Sequence, residues 1–376
     1  MGTTNRSDKI TRRGFMELSS AALATAGLLG DANTASAEPS PGLKLDAPKA
    51  DSFAMTGKIA LEEHFILPDT AEADSSLGYA LFTSELRLQI QDIGSGRIAE
   101  MDRGGVELSI LSLPGPGIQA IPNISQAIAV ARKTNDYLAE HIAKYPKRLK
   151  GFAALPLQDP QVAAQELTRC IKELGFCGAL VAGFSQIGQA DSAVFYDLPQ
   201  YRDFWATVQQ LDVPFYLHPR VPLATRQQAY EGHPWLLGSA WGFAVETSLH
   251  ALRLMGSGLF DEYPKLKIIL GHLGEGIPYS IWRVDNRISK GGRGTKAKMP
   301  MAHYLRENFY ITTSAFFRTQ ALTDVILEVG ADRILYSVDY PFDDMAEAAN
   351  WFDHAAISEP DRLKIARSNA QKLFRV

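Results

Sequence analysis

Ala60-Leu61-Glu62-Glu63-His64 ends an apolar run on two carboxylates and an imidazole, and three later stretches share its layout. They are Phe215-Tyr216-Leu217-His218, Ile268-Ile269-Leu270-Gly271-His272 and Ile334-Leu335-Tyr336-Ser337-Val338-Asp339. In a parallel β/α barrel the C-terminal strand ends meet at one rim, where catalytic groups collect. A carboxylate, two or three imidazoles and a second carboxylate converging there would hold one divalent cation. The expected fold is therefore α/β, a (β/α)8 TIM barrel of the metal-dependent hydrolase type.

The surrounding sequence fits that frame. From Gly57 onward, short apolar runs alternate with longer amphipathic stretches, as βα units do. Strands are expected near 57–62, 106–112, 150–155, 177–182, 213–217, 266–271, 308–313 and 333–338. Between Ser125 and Lys144, Ile128, Ala131, Asn135, Leu138 and Ile142 keep helical spacing. Val162, Leu167, Cys170 and Leu174 do the same between Asp159 and Leu174. Asp159-Pro160 supplies a cap followed by proline at the first helical position. No glycine-rich phosphate fingerprint follows the first strand, which argues against a dinucleotide-binding fold.

At 376 residues the chain can hold one barrel of about 250 residues or more, with terminal extensions. With 46% hydrophobic and 21% charged residues, a large core is attainable and disorder is not indicated. A formal charge of −4 and the lack of a Lys/Arg run argue against nucleic acid as a partner. No apolar stretch reaches the ~18–20 residues that span a bilayer. Only Cys170 and Cys177 occur, and both are expected to be free, buried thiols.

Residues 1–37 read as an export signal. Thr11-Arg12-Arg13-Gly14-Phe15-Met16 precedes an Ala-rich, weakly apolar segment from Leu18 to Gly30, and Ala35-Ser36-Ala37 supplies a small-residue cleavage site. This is the layout of a bacterial twin-arginine signal, so a periplasmic or secreted location is expected, with no membrane contact after cleavage. Residues 38–55 read as a linker and 56–376 as the barrel domain.

Side chains alternate along a strand, so Glu62 and His64 share one face while Glu63 points away; Glu63 would reach the same ion only through a bulge. Glu62, His64, His218 and Asp339 form a mixed N/O set suited to Zn2+ or Mn2+. His272 lies three residues before Glu275, where a carboxylate can orient the imidazole and raise its basicity. Asp339 is expected to serve as both ligand and proton carrier. Arg283 and Arg220 each have two readings, contact with an anionic substrate or a surface ion pair. Of the other histidines, only His233 is kept as a site-loop residue.

The mature chain resembles the amidohydrolase-superfamily branch of non-oxidative aromatic acid decarboxylases, the γ-resorcylate and 2,3-dihydroxybenzoate decarboxylases. Five motifs carry the resemblance: G-K-I-A-L-E-E-H-F (57–65), F-A-A-L-P-L-Q-D-P (152–160), L-D-V-P-F-Y-L-H-P-R (211–220), K-I-I-L-G-H-L-G-E (267–275) and A-D-R-I-L-Y-S-V-D-Y-P-F (331–342). The resemblance implies that Glu62, His64, His218 and Asp339 are metal ligands, His272 and Glu275 the catalytic pair, and Arg283 an arginine near the site. It further implies that the ion binds the substrate carboxylate and an ortho phenolic oxygen, that Asp339 protonates the ring carbon, and that CO2 leaves. A dimer or tetramer is also implied. The chain departs from the family pattern at Ala182, Val221 and Ala315-Phe316, where polar residues are usual. Phe316 joins Arg220 and Arg283 as a substrate-facing candidate, and the substrate itself stays open. The alternative activity is hydrolysis of a lactone, ester or amide by a water activated at the same site. Glu62, where hydrolytic relatives more often carry a second histidine, favours a single ion and decarboxylation.

Overall fold

The computed structural model describes residues 55–68, 82–291 and 294–376. The assignments of residues 1–37 to an export signal and of 38–55 to a linker fall outside this range, apart from Met55. Eight strands pair in chain order, each parallel to the next. They are β1 Lys58–His64, β2 Val106–Ser112, β3 Leu149–Ala153, β4 Gly178–Ala182, β5 Phe215–His218, β6 Ile268–Leu270, β7 Phe309–Thr312 and β8 Ile334–Leu335. Helices follow the strands, and among the described residues none is long and apolar enough to cross a membrane.

Strands buried on both faces read as near-continuous apolar runs, which is why these segments carry Val, Ile and Leu with little alternation. One set of side chains fills the barrel: Ile59, Leu61, Leu108, Ile110, Phe152, Leu180, Tyr216, Ile269 and Leu335. Ala370, Leu373 and Phe374 of the helix Asn369–Phe374 join the same cluster. The other set, including Ala60, Leu111, Val181, Leu217, Leu270 and Ile311, packs beneath the helices. The helix Pro160–Lys172 starts where its cap predicts, with the Asp159 carboxylate accepting from the Gln161 and Val162 N–H groups. Cys170 and Cys177 are free and buried as expected.

Two features depart from the expected strand pattern, and both bear on the site. Leu61 pairs with Ile110 and Glu63 with Leu111, so the register skips Glu62, whose φ is 67°. That is a β-bulge. Ile59 and Leu61 face the barrel interior, so strict alternation would bring Glu63 inward next. The bulge reverses this parity. Glu62 and His64 do share a site, as expected, but through the bulge rather than through regular alternation.

The second departure is at the other end of the sheet. β8 stops at Leu335 rather than continuing to residue 338, because the Tyr336 N–H turns away to the Ile365 carbonyl at 2.9 Å. Between this strand end and β1 the sheet has one bridge among the described residues, Leu61 with Ser337. The barrel is thus nearly closed, with a thin seam between its last and first strands.

Candidate metal centre

Glu62, His64, His218 and Asp339 each offer a ligand atom, and these atoms lie within 4.8 Å of one another, all in buried residues. His64 Nε2 is 3.0 Å from Asp339 Oδ1, and His218 Nε2 is 3.2 Å from Glu62 Oε1. The two imidazoles meet edge to face with ring centres 4.9 Å apart.

The backs of these ligands are held by neighbours. His218 Nδ1–H donates to the Pro219 carbonyl at 2.8 Å, which leaves Nε2 free to bind an ion. His64 Nδ1 faces the Ser112 hydroxyl at 3.2 Å. Glu62 Oε2 accepts from the Tyr216 and Ser314 hydroxyls, so its second oxygen, Oε1, is turned to the centre. Gly271 makes room for that carboxylate. A Cβ there would stand 3.0 Å from Glu62 Oε2 and 2.9 Å from the Tyr216 hydroxyl.

His272 closes the site from the β6 side. Its Nδ1–H donates to Glu275 Oε1 at 2.6 Å, while Nε2 lies 3.6 Å from Asp339 Oδ2 and 3.7 Å from Glu62 Oε1. The structure therefore brings together Glu62, His64, His218, Asp339, His272 and Glu275, and it makes the His272–Glu275 pair explicit.

Charges in this cluster shift one another. Burial opposes ionisation of Asp339, but the neighbouring His272 and His64 imidazoles win, and its carboxyl falls to about 2. Burial likewise opposes the Glu62 carboxylate, and the His272 charge with the neighbouring His218 imidazole holds it below the usual range. Burial works against a charged His272, yet Glu275 and Glu62 outweigh it and raise its imidazole well above the ordinary value. Glu63 behaves differently: burial pushes its carboxyl up to about 8, with the Val338 N–H and Arg97 acting in the other direction.

The donor set fits a divalent ion. Glu62 Oε1, His64 Nε2 and Asp339 Oδ1 are buried and have no hydrogen-bond partner. A buried polar atom without a partner is costly, and three of them aimed at one point are satisfied together by a cation. Two imidazole nitrogens with two carboxylate oxygens suit Zn2+ or Mn2+, one ion per chain.

The other sequence-predicted residues make no hydrogen bond or ion pair with this cluster among the described residues. Arg220 is buried: Nη1 donates to the Phe184 carbonyl (2.7 Å) and Nη2 to Gln186 Oε1 (2.8 Å), its guanidinium lies over the Phe184 ring, and its Nε has no partner among the described residues. Burial lowers its pKa to about 10. Gly183, at φ 59°, makes way for it, since a Cβ would stand 2.5 Å from Arg220 Cγ. Arg283 is exposed on the helix Ile277–Ser289, and among the described residues no hydrogen bond or ion pair reaches it. Phe316 is 41% exposed, two residues beyond the Ser314 that holds Glu62. His233 is exposed and stacks edge to face on Trp235.

Three contributors were not singled out from the sequence: Tyr216, Ser314 and Ser112. Tyr216 carried a signal, since it stands two residues before His218 on the same strand and alternation gives both one face. Ser314 and Ser112 carried none, because nothing local ties a serine to a carboxylate or imidazole far along the chain.

Comparison with known proteins places this site in a family. The amidohydrolase family profile matches residues 101–376. A gamma-resorcylate decarboxylase of a Rhizobium species is 54% identical over 324 residues, which cover 86% of this chain and 99% of the relative. The crystal structure of a 2,6-dihydroxybenzoate decarboxylase complexed with 2,6-dihydroxybenzoate is 53% identical, with a TM-score of 0.82 over 86% of this chain and 100% of that one. A dihydroxybenzoic acid decarboxylase from a Polaromonas species, solved with bound manganese and the inhibitor 2-nitroresorcinol, is 55% identical. Its TM-score is 0.82, over 85% of this chain and 97% of that one. With its four ligand residues gathered at the barrel rim, the chain belongs to the amidohydrolase family, in the branch of non-oxidative aromatic acid decarboxylases.

Proposed function

We infer that this protein is a metal-dependent non-oxidative decarboxylase of an aromatic carboxylic acid, with 2,6-dihydroxybenzoate as the first substrate to test. The observation that carries the reading is a buried four-residue centre for one ion with a separate His272–Glu275 pair facing it. When bound, the ion supplies positive charge that neutralises substrate oxygens and stabilises negative charge developing on them.

The protein's own groups handle the proton that replaces CO2 on the ring. Asp339 is ionised in the free protein, so it must collect that proton before delivering it to the ring carbon bearing the carboxylate. His272 Nε2, 3.6 Å from Asp339 Oδ2, is the facing donor. Glu275 holds the opposite ring nitrogen and keeps the imidazole oriented. Burial of the centre at the rim limits competing water. Phe316, an exposed ring two residues beyond the Ser314 that holds Glu62, is the proposed packing surface for the aromatic substrate.

The test is a screen of hydroxybenzoates, lactones and esters that follows CO2 and acid release separately. CO2 with a phenolic product supports the reading. Acid release from esters or lactones with no CO2 from any carboxylate would replace it with the hydrolase reading.

We also propose export by the twin-arginine route, supported by Arg12-Arg13, the apolar segment behind them and Ala35-Ser36-Ala37. A reporter fused to residues 1–45 should be exported, and replacing Arg12 and Arg13 by lysine should stop it. A homo-oligomer is the third proposal. It is supported by large aromatic side chains left in solvent, Tyr279 at 85%, Trp282 at 72% and Trp235 at 67% exposure. Light scattering at a monomer mass would reject it.

A further inference from the structure

The seam between β8 and β1 carries metal ligands on both sides, Glu62 and His64 on one and Asp339 on the other, yet it is the thinnest part of the sheet. β1 and β2 share six paired positions, whereas β8 is two residues long and Asp339 stands four residues beyond it. Asp339 also has φ 80°, a conformation that L residues avoid unless neighbours enforce it. Something other than a strand ladder must hold it.

Glu63 sits at that gap. It is fully buried, and the bulge at Glu62 turns it away from the ligand cluster. Its two carboxylate oxygens accept from two different backbone groups, Oε1 from the Val338 N–H at 3.1 Å and Oε2 from the Tyr340 N–H at 3.3 Å. Those residues flank Asp339 on either side. The His64 N–H completes the connection by donating to the Tyr340 carbonyl at 2.7 Å.

The carboxylate is supported in turn. Arg97, also fully buried, donates to the His64 carbonyl at 2.6 Å and to the Asp92 carbonyl at 2.9 Å. Its guanidinium lies 5.0 Å from the Tyr340 ring centre. The Arg97 charge favours the ionised form of this carboxyl against the burial that opposes it, and its contacts with the His64 carbonyl and the Tyr340 ring join the same two chain segments.

We propose that Glu63 is a positioning residue whose carboxylate clamps the backbone on both sides of Asp339 across the β8–β1 seam, setting that ligand against Glu62 and His64. It never touches the ion or the substrate. The middle residue of Glu62-Glu63-His64 is then the part that aligns the two halves of the ligand set. The inference rests on the metal-centre reading.

The test uses the full-length protein with Mn2+ as the probe. Glu63→Gln keeps the size and shape of the side chain, but its carboxamide offers one acceptor oxygen and one NH2 donor. One of the two backbone N–H groups then faces a donor and loses its bond. Mn2+ affinity should fall about 10–100-fold, the usual effect of losing a group that orients a ligand. The electron paramagnetic resonance spectrum of bound Mn2+ should change while circular dichroism of the metal-free protein stays that of the wild type. Glu63→Met, which fills the space and accepts neither N–H, should weaken binding further.

Wild-type Mn2+ affinity together with an unchanged spectrum in Glu63→Gln would overturn the proposal, whatever its thermal stability. A second measurement needs no variant. In the unmodified metal-free protein, the Val338 and Tyr340 amides should resist hydrogen exchange, and free exchange at both would also overturn it. Wild-type protein that takes up no Mn2+ would instead remove the metal centre itself.

Discussion

Inside the barrel, Ile59, Leu61, Ile110, Ile269 and Leu335 fill the space with apolar side chains, none of them at positive φ. Just above them, at or beyond the ends of β1, β6 and β8, Glu62, His272, Glu275 and Asp339 all have left-handed backbones, at φ 67°, 50°, 55° and 80°. The same rim holds three buried polar atoms without partners. Each left-handed non-glycine residue costs on the order of 1–3 kcal/mol and persists only when its surroundings over-determine it. The apolar interior is therefore what makes the rim tolerable. It fixes the strands firmly enough that the ligand-bearing turns can be held in conformations they would not choose alone.

That division of labour can be broken at either level. The largest effect is expected at the rim. Asp339→Asn keeps a residue type that tolerates left-handed φ but cannot carry the proton, so kcat should drop at least about a thousandfold. Circular dichroism should be unchanged, and wild-type turnover would remove Asp339 from the proton path.

The mirror experiment is in the interior. Ile269→Ala leaves a void in a fully buried position and should cost about 2–5 kcal/mol in urea unfolding. Mn2+ affinity of the folded fraction should stay as in the wild type. A matching loss of affinity would mean that the two levels are not separable.

A smaller rim effect is expected from Glu275→Gln. It keeps a hydrogen-bond acceptor for His272 but removes the charge behind it, for an expected loss of about 10–100-fold in kcat with little change in stability. A loss of stability without a loss of rate would make Glu275 a structural residue.

The smallest effect lies in the helical layer. His250 is fully buried, its Nε2 accepts the Tyr196 N–H at 3.1 Å, and burial with the nearby Arg253 charge pushes its pKa down to about 3. Above its unfolded value of about 6.5 the ring is neutral in both states, and the stability is fully present. As pH falls toward 3 the unfolded chain binds the proton first, so stability should drop by about 1.4 kcal/mol per pH unit. His250→Gln should flatten that slope in urea titrations at pH 7, 5 and 4, and an unchanged slope would assign it to other groups.

Most of the site was legible because its residues are local to strand ends. An apolar run ending in His218 or in Gly271-His272 reports its own position on the barrel. The His272–Glu275 pair was equally readable, since three residues in one turn bring the two side chains together. The parts that did not read through are long-range. Ser314 reaches Glu62 across 252 positions, and Tyr216 across 154. Arg220 carried two readings, substrate contact or ion pair, and no local pattern could show that two of its donors reach the Phe184 carbonyl and Gln186.

The sequence by itself determined the barrel, the four ligand residues and the pair beside them, since each depends on patterns within a few neighbouring positions. Only the tertiary structure decided how Glu62 comes to face the centre and what Glu63 does instead. Alternation within β1 would have sent Glu63 inward after Ile59 and Leu61. The outcome was set by the register against β2, which inserts the bulge, and by the early end of β8, beyond which the Val338 and Tyr340 N–H groups bond Glu63. Both depend on pairing between segments distant in the chain, which no local pattern encodes.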